Sequence, residues 1–198
     1  MSYEPIRIGF FRTSRKEMTD LAIACFAISL AFAIAIGSNE LSFFTTWLIT
    51  AITVGTAFIL HEMGHKLMAQ KFGCFAEFRA DMSMLILAIL MSFSGIIFAA
   101  PGAVMISGYV NNITNGKISA AGPVVNVLLA ILYLFLALFI PTDNNIIQLI
   151  IGYGFMINSW LALFNMIPLG NLDGGKILRW NKKVYAGIVL ISLIFVMF

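Results

Sequence analysis

With 198 residues, of which 61% are hydrophobic and only 11% charged, the chain has too little polar surface for a water-soluble domain of its size. Its mean hydropathy of +0.97 points to the bilayer, where about 20 largely apolar residues per crossing leave room for a handful of helices and no sizeable soluble domain. The net charge of +3 comes from basic residues that flank apolar runs without forming an aromatic-interleaved stripe, so nucleic acid is not an expected partner.

Residues 1–19 read as a retained, polar N-terminal tail, because their long basic part and the missing small-residue cleavage site do not fit a signal peptide. Residues 20–198 read as a single membrane domain. Apolar runs cover 21–37, 43–60 with a helical continuation to 70, 84–100, 120–140, 146–167 and 184–198. The expected fold is an all-α polytopic membrane protein of about five to six transmembrane helices, with a small β-hairpin and a re-entrant segment. Trp47 and Trp180 fall near run ends and read as interface anchors, Trp160 as core. Cys25 and Cys74 form neither a CxxC motif nor a disulfide framework and read as free thiols.

The basic residues set an expected topology. A cytoplasmic N-terminus keeps Arg7, Arg12, Arg15 and Lys16 inside, and two crossings return Lys66, Lys71 and Arg79 to the same side. If 84–100 crosses, Lys176, Arg179, Lys182 and Lys183 end up outside, against the charge rule. If it enters and leaves on one side, all four stay inside. A re-entrant or interface-packed segment is therefore expected, with an ordinary span as the alternative that its length allows. Downstream, Asn115-Gly116 between short β-prone runs signals a type I′ hairpin. At the membrane face its free edge could bind an extended peptide through main-chain hydrogen bonds, or the hairpin could be purely structural.

His61-Glu62-Met63-Gly64-His65 carries the chemistry. Residues four apart share a helix face, so both imidazoles can reach one metal ion while Glu62 stands beside a water on it. Zinc in a catalytic site keeps one position for water and lowers its pKa toward about 7, and a neighbouring carboxylate can then shuttle the proton. The motif follows a long uncharged run, where an ionisable side chain is costly unless paired or liganded. His61 and His65 are the only two histidines, so a third protein ligand should be a carboxylate. Apart from Glu62, the acidic residues other than Asp173 sit at or beyond the ends of apolar runs. Asp173 follows Pro168 and Gly170 in Asn165-Met166-Ile167-Pro168-Leu169-Gly170-Asn171-Leu172-Asp173-Gly174, a turn able to bring a carboxylate back to the site; a helix cap is its other reading.

HEMGH on an apolar helix, NMIPLGNLDG with its spacing N-x-x-P-x-x-x-L-D-G, and the Ala121-Gly122-Pro123-Val124-Val125-Asn126 stretch together resemble the site-2 protease family over about residues 43–178. The resemblance is to a compact prokaryotic member without a PDZ domain. It implies one zinc per chain held by His61, His65 and Asp173, with Glu62 as the base, in a core of three helices over 43–70, 120–140 and 146–167. It implies that Asn165 holds the substrate backbone or stabilises the oxyanion, or else makes an interhelical hydrogen bond; Asn126 shares the ambiguity, with the structural reading favoured. The implied function is zinc-dependent intramembrane endopeptidase activity in regulated intramembrane proteolysis. Partners would be membrane proteins with a transmembrane segment, together with the lipid bilayer, and the site of a multi-pass cell-membrane protein would open to the cytoplasm. A non-catalytic metal-binding scaffold or transporter is the competing class, against which the intact Glu62 argues.

Overall fold

Residues 6–9, 11–37, 41–96, 101–170 and 172–198 are described by a computed structural model. Helix α1 (Arg15–Ile36) starts where the Ser14 hydroxyl accepts the Glu17 N–H and stops at Gly37, whose φ of 45° a side chain would resist. Helices α2 (Phe43–Thr50) and α3 (Thr56–Lys71) are joined through a π-helical turn at Ala51–Gly55 into one rod. Helix α5 (Asn112–Phe139) and helix α6 (Asn145–Asn165) follow, capped by the Asn111 and Asn144 side chains.

Four helical segments, Arg15–Ile36, Phe43–Lys71, Asn112–Phe139 and Asn145–Asn165, are long and apolar enough to cross a membrane. Helix α4 (Met82–Ser92), α7 (Asp173–Trp180) and α8 (Lys182–Met197) are shorter. The outward faces are apolar as well: along α5, Leu128, Ile131, Leu132, Phe135, Leu138 and Phe139 are all exposed at helical spacing. In water this stripe would be a large unsheltered patch; against lipid it costs nothing. Trp160, expected in the core, also faces outward at 55% exposure, because α6 turns its small residues inward and that face outward. Cys25 and Cys74 are free thiols.

Helix α5 lies centrally and packs on α3, α6 and α7. The α3–α5 approach is close enough that a Cβ on Gly64 would come 3.0 Å from the Ala121 carbonyl oxygen. Among the described residues there are also two small antiparallel hairpins: β1 (Ile6–Ile8) with β2 (Phe11–Thr13), and β3 (Phe75–Ala80) with β4 (Gly102–Ser107). The stretch read as a tail thus contributes a hairpin and the first turn of α1.

The β3–β4 hairpin replaces the one expected at Asn115-Gly116. Those residues lie in the first turns of α5, where the Asn111 side chain accepts the Thr114 N–H at 2.8 Å. Gly116 is needed for packing and not for a turn, since a Cβ there would meet the Trp180 Cβ at 2.1 Å. In the real hairpin Ala80 opposes Gly102, and the Asp81 N–H donates to the Pro101 carbonyl at 3.0 Å. The chain between them therefore leaves and returns at adjacent points. Within it α4 has 11 residues, about 16 Å of helix and roughly half the hydrocarbon thickness. The last part of the segment read as re-entrant, 97–100, lies outside the described residues.

Candidate metal centre

The face that α3 turns toward α5 carries the two histidines. A π turn adds a residue to the rod, which rotates everything after it by about 100° relative to an unbroken helix, so Ala51–Gly55 sets that facing. His61 Nε2 and His65 Nε2 lie 3.0 Å apart. Asp173 Oδ2 is 3.5 Å from the first and 3.0 Å from the second. All three residues are buried.

The outer nitrogens explain why the inner ones converge. His61 Nδ1 is 2.5 Å from Asn126 Oδ1, and His65 Nδ1 is 2.9 Å from the Ile118 carbonyl oxygen. Both acceptors lack a proton, so each Nδ1 must donate and each Nε2 keeps its lone pair for the shared point. The orientation of the Asn126 amide is itself determined, because its Nδ2 donates to the Ala57 carbonyl at 3.3 Å and to Asn158 Oδ1 at 3.0 Å. Asn158 in turn donates to the Gly154 carbonyl at 2.8 Å. A chain of two buried amides thus aims His61.

Asp173 comes from the other end of the fold. After α6 the chain turns at Pro168 and Gly170, whose φ is 57°, and α7 begins at Asp173 itself. A Cβ on Gly174 would lie 2.1 Å from the Met166 carbonyl oxygen, so glycine lets the first turn of α7 press against the end of α6. Leu172 occupies the cap position, and the Asp173 carboxylate is directed to the histidines in place of the helix-cap role.

This trio fits a metal ion. The ligand atoms lie within 4.8 Å of one another, and their separations approach the roughly 3.3 Å expected across a tetrahedral ion with bonds of about 2.0–2.1 Å. A Cβ on Gly122 would sit 2.4 Å from His65 Nε2 and 2.6 Å from His61 Nε2, so the glycine keeps the space beside the ligand atoms open.

A cavity of about 470 Å³ opens onto the trio and is lined by Glu62, Asn165 and strand β4 among others. The Val104 backbone faces the Glu62 carboxyl, and β4 lines the cavity together with the histidines. Asn165 lines the cavity and donates one amide hydrogen to the Leu161 carbonyl at 2.9 Å. Asn126 does not line it; it is fully buried beside His61. Two residues escaped the sequence reading. Lys176 lines the cavity with its ammonium 3.8 Å from Asp173 Oδ1, and its signal was the i+3 spacing from Asp173. Asn158 carried a signal too, as an amide within an apolar run that must find a partner.

A Methanocaldococcus jannaschii protein whose name provisionally assigns it as a zinc metalloprotease, MJ0611, is 38% identical over 196 residues, covering 96% of this chain and 100% of its own length. The chain belongs to the same metalloprotease family. A second protein of that organism, zinc metalloprotease MJ0392, is 27% identical over 150 residues; the match takes in 76% of this chain and 39% of the relative. No protein-family profile and no solved structure matches the chain.

Proposed function

We propose that this metalloprotease is a zinc-dependent intramembrane endopeptidase of the site-2 protease kind, cutting membrane proteins in or near a transmembrane segment. One observation carries the reading: His61, His65 and Asp173 converge beside Glu62 in a cavity on a helix long and apolar enough to cross a membrane. Zinc bound there supplies a Lewis acid and a water activated near neutral pH. The chain supplies the rest. His61 and His65 present Nε2 because Asn126 and Ile118 take their Nδ1 protons, and Asp173 adds the anionic oxygen. Glu62, on the cavity wall beside the histidines, is placed to take a proton from water and hand it to the departing amine. Asn165 offers its amide to the substrate backbone or the oxyanion.

Among the described residues β4 pairs on one side only, with β3, and its other edge faces the cavity. An unwound substrate segment adds to that edge as a further strand, which holds the scissile bond by main-chain hydrogen bonds. The segment between β3 and β4 dips into the bilayer and returns on the same side. That path keeps the basic residues of α7 and the start of α8 on the side of Lys71 and Arg79, the cytoplasmic side, from which water reaches the site. In the purified, zinc-loaded protein, Glu62→Gln should retain zinc while cleavage of a membrane-protein substrate falls by about 10²–10⁴. Full cleavage by the zinc-bound variant would overturn the assignment.

A further inference from the structure

Close behind the metal centre lies a second buried polar cluster that the proposed reaction does not use. Glu17 and Lys66 are both fully buried, although each lies near the end of an apolar helix where water could have been reached. They form an ion pair. The Thr13 hydroxyl also donates to Glu17 at 2.7 Å, and the Phe11 ring lies 4.4 Å from the Lys66 ammonium. Gln70 fastens this cover by bonding the Arg12 main chain in both directions, at 3.1 and 2.7 Å. Satisfied in this way, the pair escapes the several kcal/mol that isolated buried charges cost.

The other oxygen of Glu17 bears on the site. Its Oε1 accepts the Phe78 backbone N–H at 2.9 Å, at the edge of β3 away from β4. Phe78 is the register partner of Val104, whose backbone faces the Glu62 carboxyl at the opposite edge, where both line the cavity. A single rung of the hairpin thus lies between two carboxylates, held by Glu17 on the outside and facing Glu62 on the inside. Both ends lead back to α3, because Glu62 belongs to it and Glu17 is tied to it through Lys66, one turn further along. Phe78 and Phe58 of α3 fill the space between with an edge-to-face contact at 5.5 Å.

We propose that Glu17, with Lys66 as its counter-ion, is a positioning residue that sets strand β4 against the catalytic face of α3 and so governs how a peptide substrate is held over the metal site. The use made of that position rests on the strand-addition reading above. The position itself does not.

Two double variants of the zinc-loaded full chain separate the ion pair from the hydrogen-bond acceptor. Glu17→Gln with Lys66→Met removes both charges but keeps an oxygen acceptor for the Phe78 N–H; Glu17→Ala with Lys66→Met removes the acceptor as well. Hydrogen exchange of the 102–107 segment, zinc content, and kcat and KM on a membrane-protein substrate are read for each. Expected is exchange and KM within about twofold of the parent for the Gln variant. The Ala variant should show faster exchange in 102–107 and KM raised about tenfold, with kcat and zinc content within about twofold. Equal exchange of 102–107 in the two variants, or loss of zinc in the Ala variant, would overturn the positioning role. Faster exchange in the Ala variant alone, with KM unchanged, would uphold that role and overturn strand addition.

Discussion

Helix α3 supports two buried polar clusters only a turn apart, and they end differently. Around Lys66 the charge meets a carboxylate, an aromatic face and a hairpin that closes over it, and Glu17 bonds to an ammonium, a hydroxyl and a backbone N–H. Around His61 and His65 the bonds run outward, to Asn126 and Ile118, and leave two Nε2 atoms and a carboxylate oxygen facing one another beside a cavity. Three ligand atoms at 3.0–3.5 Å beside a cavity make a set that one metal ion between them would satisfy. Closure marks a cluster that holds the fold, and convergence marks one that binds.

The largest effect should come from the convergent cluster. His61→Ala or Asp173→Ala should abolish zinc retention and with it cleavage, read by metal analysis and substrate turnover, and chelation of the parent should do the same until zinc is returned. In the closed cluster the corresponding single change, Lys66→Met, strands the Glu17 carboxylate and should cost about 3–5 kcal/mol in an unfolding titration. Pairing it with Glu17→Gln should recover most of that loss, since a buried ion pair replaced as a unit is often close to neutral. If the single and double variants were equally unstable, the pair would not be the closed unit described. Smaller still is the effect of the amides behind the histidine: Asn126→Leu should weaken zinc affinity about 10–100-fold, and Asn158→Leu less, because it acts on His61 only through Asn126. Measured dissociation constants that rank the two the other way would break the proposed order of the chain.

Much of the metal centre was legible because it depends on scarcity. Two histidines at helical spacing had no third to join them, and Asp173 was the carboxylate a turn could fold back, with a helix cap as its other reading; the structure places it beside both histidines. Asn126 and Asn165 were both singled out, but only packing separates the amide that braces His61 from the one beside the cavity. Asn115-Gly116 misled because a dipeptide that favours a turn is also what a helix uses where a tryptophan must come close; Trp180 is 64 residues further along and invisible locally. Glu17, Glu77 and Lys66 were read as charges at the ends of apolar runs, and Lys66 as a topology marker. All three are buried, because strand β3 and the N-terminal hairpin fold over the end of α3.

Composition, helical period and the HEMGH spacing are properties of short stretches of chain, and they were enough to point to helices of membrane-spanning length and to a helix with two candidate metal ligands. The partner of β4 and the burial of Glu17 with Lys66 depended on residues dozens of positions apart meeting at one place. Such meetings are decided by which faces pack and which charges can be satisfied there. Local propensity carries no record of either, and the tertiary structure settles both.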